Sequence, residues 1–191
     1  MALLSTNHNE LHPDGGLIER IATGDRDALR VLYEQYRQPL GSFLHRRLYS
    51  QKLVDEAFND VMYTVWRKAA EFRGDSKVST WIYGIAYRVA LSAARKEIKH
   101  DTNRADSGPE DLNIAEATVE QDDRVDELKE AVSRLKDNHR IVIELAYFNE
   151  KSLDEIASIL DIPTNTVKTR LFHARKYLKG IMTELLQQRG H

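Results

Sequence analysis

The side chains most able to do chemistry lie between Lys168 and Lys179: Lys168, Thr169, Arg170, Phe172, His173, Arg175, Lys176 and Lys179. No acid interrupts them. Cations at this density neutralise phosphates, and Lys or Arg can bond the acceptors on a guanine edge. A second set is Phe72, Arg73, Ser76, Trp81, Tyr87, Arg88 and Arg95. Rings beside cations suit unpaired nucleic acid, because rings receive unstacked bases while cations hold the backbone. Trp81 and Tyr87 equally fit an ordinary core with a polar edge. A third set is Asp55, Glu56, Asn59 and Asp60, followed by Arg67 and Lys68. Acids first and bases last suit the helix dipole, and the same acids also make a docking face for a basic partner.

Other chemistries find little support. His8, His12, His45, His100, His139, His173 and His191 form no ligand set by spacing, and there is no cysteine for a thiolate site or a disulfide. No phosphate-cradling glycine loop or nucleophile motif occurs. No catalytic residue, metal or cofactor is therefore expected, and the chain reads as a non-enzyme. No apolar run reaches the ~18 residues of a membrane span, so no membrane insertion is expected. The start, MALLSTNHNELHPDGG, lacks a basic end and a long apolar stretch, so it does not read as a signal peptide. Absence of cysteine fits a reducing cytoplasm. The net charge of -2 gives no overall attraction to nucleic acid, so any binding must come from local segregation of charge.

The elements that must position these sets are helices. Ser152 and Glu155 form a capping box ahead of Ile156, Ala157, Ile159 and Leu160. Asp161-Ile162-Pro163 ends that helix, and Thr164, Asn165 and Thr166 offer caps for the next. Val167, Leu171, Ala174 and Leu178 then make an inward stripe, which leaves the cations outside. This is the helix-turn-helix pattern, whose second helix enters the major groove. Val54 to Phe72 keeps helical spacing throughout, with the acidic set on its far side. Ser79 or Thr80 caps a following helix with Trp81, Ile82, Ile85, Ala86, Val89, Ala90 and Ala93 on its apolar side. Nearer the start, Leu17–Ile21 opens a helix, Asp25 caps the next, and Pro39 with Gly41 marks a joint. Nothing alternates as a strand.

The expected fold is all-α: two small helical domains, the C-terminal one a helix-turn-helix. Residues 1–16 read as a flexible tail, 17–100 as the first domain, 101–124 as a flexible acidic linker and 125–187 as the second. The linker carries Asp101, Asp106, Glu110, Asp111, Glu116, Glu120, Asp122 and Asp123 with few large apolar residues, so it cannot bury a core. Such a linker could also compete with nucleic acid for a cationic surface. After it, Val125–Leu135 is predicted helical with Leu128, Val132 and Leu135 inward. Asn138–Phe148 comes next, with Ile141, Val142, Leu145 and Phe148 inward.

In this order the parts resemble a sigma-70 family factor of the extracytoplasmic-function (ECF) group, over roughly residues 17–186 without most of the linker. LIERIATGDRDALRVLYEQYRQPL is similar to the family's opening helices, and VDEAFNDVMYTVWRKAAEF to the segment that binds the polymerase clamp helices. FRGDSKVSTWIYGIAYRVALSAARK resembles the segment that melts and reads the -10 element; SLDEIASILDIPTNTVKTRLFHARKYL resembles the reader of the -35 element. The resemblance implies partners: core RNA polymerase, promoter DNA as duplex and as single strand, and an anti-sigma factor. It assigns polymerase binding to Asp55, Glu56, Asn59 and Asp60. The -10 strand falls to Phe72, Arg73, Ser76, Trp81, Tyr87, Arg88 and Arg95, with the loop 72–79 capturing a flipped base. The -35 duplex falls to Lys168, Thr169, Arg170, Phe172, His173, Arg175 and Lys176. Arg88 stands where some relatives carry Asn, His173 where Arg is frequent, and Asp161 where the turn usually has Gly. A conventional helix-turn-helix repressor would bind DNA without polymerase, usually as a dimer. A degenerate sigma-like protein would bridge partners without promoter activity.

Overall fold

A computed structural model describes residues 14–48, 50–101, 128 and 130–189, with the side chains of 98–101 and 185–189 left aside. Every regular element among the described residues is helical. The chain forms two compact units, divided between Ile114 and Ala115. The expected linker, 101–124, lies outside the described residues but for the end of one helix, as do residues 1–13 of the expected tail.

The first unit is built from α1 (Gly15–Ala22), α2 (Arg26–His45), α3 (Gln51–Lys68) and α4 (Val78–Asp101). Gly15 and Gly16 were expected in the tail and instead form the first turn of α1. The Tyr36 hydroxyl, donating to the Asp14 carboxylate at 2.6 Å, ties that turn to α2. Burial and this carboxylate push the Tyr36 phenol well above its ordinary value. Gly24, at φ 90°, makes the turn after α1 with left-handed backbone that glycine tolerates. Asp25 then caps α2 as expected, accepting from the amides of Asp27 (2.9 Å) and Ala28 (3.1 Å).

Pro39 makes no joint: α2 runs through it to His45. The proline faces solvent, so the carbonyl it leaves without an amide can bond water. Leu40, Phe43 and Leu44, all fully buried just beyond it, hold the helix to the core. Each such side chain contributes about 1.5–3 kcal/mol. They pack with Val61 and Val65 of α3 and Ile82 and Ala86 of α4 in one buried core. Tyr83 joins it, edge-on to Phe43 at 5.1 Å, and so is no part of an exposed aromatic set.

The second unit begins with a helical stretch at 130–133 and continues through α5 (Asp137–Ile143), α6 (Leu153–Leu160) and α7 (Thr164–Arg189). Leu128 was expected inward and is 44% exposed; Ala131 and Leu135, four residues apart, are the buried pair. The helix expected over 138–148 is α5 continued by a π-turn, Glu144–Phe148. The Asn149 amide reaches back five residues to the Glu144 carbonyl at 3.1 Å. The wider turn rotates the residues at its end, which sends Phe148 outward against expectation and leaves Leu145 buried.

The capping box at Ser152 and Glu155 is present, with bonds of 3.2 and 2.9 Å. Asp161 ends α6 in left-handed geometry, φ 54° and ψ 52°. Thr164–Thr166 lie within α7 rather than capping it, and the Pro163 carbonyl takes its first amides. The Thr164 hydroxyl instead donates 2.9 Å to Asp154 of α6, joining the two helices across the turn.

Asp161 supports a direct test. A left-handed residue with a Cβ costs about 1–2 kcal/mol, and least for Asn and Asp. Asp161→Gly is expected to hold or raise stability in urea unfolding, and Asp161→Val to lower it by about 1–2 kcal/mol or more. Equal stability of the two variants would contradict this account of the turn.

Candidate nucleic-acid interface

On α7, Val167, Leu171 and Ala174 are buried and Leu178 is half-buried, as the inward stripe predicts. Lys168, Thr169, Phe172, His173, Arg175, Lys176 and Lys179 are exposed, and Arg170 is half-exposed. Phe172 is 65% exposed, a large apolar surface amid cations. No acid occurs on α7 before Glu184. The Thr169 hydroxyl donates to the Asn165 carbonyl at 3.0 Å, which turns its hydrogen inward. Its outer side can make apolar contact or accept, but not donate.

Arg175 is already oriented. Its Nε–H donates to the Tyr147 hydroxyl at 2.8 Å, and its guanidinium lies 5.7 Å from that ring's centroid. Tyr147 sits in the π-turn and is 56% exposed. No motif flagged it, because the outward turn of residues 147 and 148 comes from the π-geometry rather than from α-helical spacing. His139, at the start of α5, was also missed. Its ring stacks on His173 and Tyr177 of α7, 6.3 and 5.4 Å between centroids. Partial burial lowers the His139 value below the ordinary histidine range, helped by His173, Lys136 and Arg170.

In the first unit the predicted strand-binding residues divide. Phe72 and Trp81 come together, ring centroids 5.1 Å apart, Phe72 at the start of the loop that precedes α4 and Trp81 in the first turn of that helix. Both are half-buried, packing on each other with part of each ring exposed. Ser79 and Thr80 do not cap α4. The helix begins at Val78, the Lys77 carbonyl takes its first amide from Trp81, and Thr80 is buried. Gly74 gives the loop a left-handed point at φ 76°. Arg73 pairs with Asp75 at 3.0 Å, both largely exposed. Ser76 donates within the loop, to the Lys77 carbonyl. Tyr87 is half-buried, and Arg88 and Arg95 are exposed on α4. With Leu91, Ser92 and Lys96 these two arginines line a cationic hollow. Lys96 lies outside the set predicted from the sequence.

The acidic set lies where it was predicted. Asp55, Glu56, Asn59 and Asp60 are exposed on α3. Gln51 donates to Asp55 at 2.9 Å, which holds that carboxylate near the helix start. Tyr63, 60% exposed, extends the same face toward Arg67. Glu56 and Asp60 also border a groove whose other wall is Val89, Ser92, Ala93 and Lys96 of α4. Among the described residues no group of histidines, aspartates or glutamates is arranged to hold a metal, and no helix is long and apolar enough to cross a membrane.

Comparison with known proteins fits this geometry. Residues 32–99 match the family model for sigma-70 region 2, and residues 126–178 the model for sigma-70 region 4. RNA polymerase sigma factor YlaC of Bacillus subtilis is 30% identical over 166 residues, 83% of this chain and 94% of that protein. The ECF RNA polymerase sigma-E factor of Escherichia coli is 28% identical over 196 residues, covering 92% and 97%. Among solved structures, the sigma factor RpoE of Bartonella quintana, in complex with the anti-sigma factor NepR, shares the fold. The TM-score is 0.67 and the identity 20%, over 81% of this chain and 98% of that one. CnrH, solved with the cytosolic domain of CnrY, gives a TM-score of 0.65 and 17% identity over 93% and 99%. The chain belongs to the ECF group of the sigma-70 family of RNA polymerase sigma factors, proteins of transcription initiation.

The lowered His139 value has a consequence for stability. A histidine depressed on folding contributes stability that is present above its unfolded value, about 6.5, and is lost as pH falls below it. Urea midpoints monitored by circular dichroism are expected to drop more between about pH 7.5 and 5.5 in the wild type than in His139→Gln. Parallel drops would contradict the assignment.

Proposed function

We propose that the chain docks on core RNA polymerase through the acidic face of α3 and directs initiation by reading promoter DNA at two places. Polymerase supplies the chemistry, and this chain supplies the choice of start site. The observation that carries the proposal is the segregation of charge: acids on the outer face of α3, and α7 free of acid from Thr164 to Thr183. A chain of net charge -2 gains no overall attraction to DNA, so such a face concentrates what attraction there is.

In the second unit, α7 enters the major groove of the -35 element. Lys168 and Thr169, near its start, face bases; Arg170, Phe172 and His173 extend the contact. Arg175, steadied by Tyr147, and Lys176 hold phosphates and fix the register. In the first unit, the Phe72–Trp81 pair and the loop from Arg73 to Ser76 receive the melted non-template -10 strand. Tyr87, Arg88 and Arg95 hold the strand beyond it. Extruding a base costs a few kcal/mol, which a protein pocket and backbone contacts offset. Residues 17–100 and 125–187 thus serve as the family's second and fourth sigma domains, joined by 101–124. An anti-sigma protein is the regulator, in keeping with the complexes in which the structural neighbours were solved. The site of action is the cytoplasm, where the polymerase works.

The two roles separate by mutation. Asp60→Lys is expected to weaken binding of the full chain to core polymerase about 10-fold or more in a low-salt fluorescence titration, since like charge across an interface costs several kcal/mol. Lys168→Ala is expected to leave polymerase binding unchanged and to cost about 1–3 kcal/mol at the -35 element of holoenzyme promoters. Unchanged polymerase affinity in Asp60→Lys would count against docking through α3. Loss that is uniform across unrelated promoters would move Lys168 from base reading to phosphate contact.

A further inference from the structure

Arg175 of α7 and Tyr147 of the π-turn stand 28 residues apart in the chain and meet at the surface. An arginine carries its N–H donors in a planar fork. Here the Nε–H is taken by the Tyr147 hydroxyl oxygen at 2.8 Å, and the two terminal amino groups meet no carboxylate among the described residues. The hydroxyl accepts in that bond, so its own hydrogen is left to donate, and no acceptor among the described residues takes it. Nε and one terminal nitrogen open on the same edge of the fork, which sets the free O–H beside a free N–H. The guanidinium lies 5.7 Å from the ring centroid, at the outer limit of about 6 Å for contact with a ring face, so the hydrogen bond is what joins the pair. Both side chains are exposed, and Lys176 and Lys179 add charge on the same helix. The turn beneath Tyr147 is firmly built. Leu145 is fully buried, the Asn149 amide returns to the Glu144 carbonyl at 3.1 Å, and the Lys151 amide to the Leu145 carbonyl at 2.9 Å.

We propose that Tyr147 is a DNA contact in its own right: its hydroxyl and the Arg175 guanidinium form one clamp on a single backbone phosphate of the -35 duplex. The inference rests on the promoter-reading proposal for α7. A backbone phosphate presents two oxygens that are not esterified. One takes a terminal N–H of Arg175 and the other takes the Tyr147 O–H, which the charged bond from Nε polarises. A lone arginine makes a two-point contact with Nε and a terminal nitrogen; here the tyrosine hydroxyl stands in the place of Nε. The clamp carries no sequence information. It lets the π-turn and α7 hold the backbone together, so it fixes how α7 is rolled in the groove while residues near the helix start read bases.

The test uses holoenzyme assembled from core polymerase and the full chain, with labelled promoter duplexes. In a series of these duplexes one phosphate at a time around the -35 element is replaced by a neutral methylphosphonate. Tyr147→Phe keeps the ring and removes only the hydroxyl, and the residue is exposed, so the variant is expected to fold. On the unmodified duplex it is expected to bind about 3- to 10-fold more weakly, the size of one hydrogen bond. Its salt dependence is expected to match wild type, because a hydroxyl releases no counterion, whereas Arg175→Ala lowers the salt slope by about 1. With Arg175→Ala already present, Tyr147→Phe is expected to cost a further ~2-fold or more. Both single variants are expected to lose most of their disadvantage at the same methylphosphonate position. A Tyr147→Phe change that costs nothing once Arg175 is absent overturns the inference and leaves Tyr147 as a positioning residue alone. A Tyr147→Phe deficit equal on every modified duplex overturns it too. Holoenzyme indifferent to Arg175→Ala and to every methylphosphonate would overturn the promoter-reading proposal for α7 itself.

Discussion

Burial of Val167, Leu171 and Ala174 against α5 and α6 decides which side of α7 meets solvent. Everything about the candidate interface depends on it. Rotating α7 by a third of a turn would bury Lys168 or Arg175 and expose the apolar stripe. The opposite outcome is fixed by three small or branched side chains, a left-handed Asp161 that sets the angle of approach, and the Thr164–Asp154 bond across the turn. The cations need no partner within the unit. Their mutual repulsion is tolerable because they are exposed and screened, with a Debye length of about 8 Å at physiological salt.

The first unit solves a different problem. It leaves an acidic face and a half-exposed pair of rings on the outside of the same helical core. The α3 helix does the first by turning Val54, Ala57, Val61 and Val65 inward, which leaves Asp55, Glu56, Asn59 and Asp60 outward. The loop before α4 does the second. It brings Phe72 and Trp81 together without burying either completely, so rings that complete the packing also keep exposed surface. For Trp81 the structure shows packing on Phe72 with part of the ring left exposed. Tyr83, two residues on, is buried against Phe43.

Much of the architecture is legible in the sequence because it rests on local rules. Helical spacing marks α3 and the inward face of α7, and capping chemistry marks Asp25 and Ser152. The features that escape are non-local or depend on a departure from ideal helix. Pro39 reads as a break, yet buried neighbours carry α2 through it. The π-turn at 144–148 leaves no periodic signal, so the outward Phe148 and the Tyr147 that steadies Arg175 are missed. His139 is invisible for a similar reason: nothing in its own segment says that α7 lies beside it. The polar faces are legible as charge, but their partners become legible only through family resemblance, since a solvated acidic face and a docking face look alike in one sequence.

In the proposed function, two DNA-reading faces and one polymerase-docking face act as a single specificity subunit. In vitro transcription tests this most directly, with core polymerase, the purified chain and a library of templates varied at the -35 and -10 elements. The expected result is initiation that depends on the chain, starts at fixed positions and requires both elements. Core polymerase that gains no promoter-specific start from the folded chain, on any template, would contradict it.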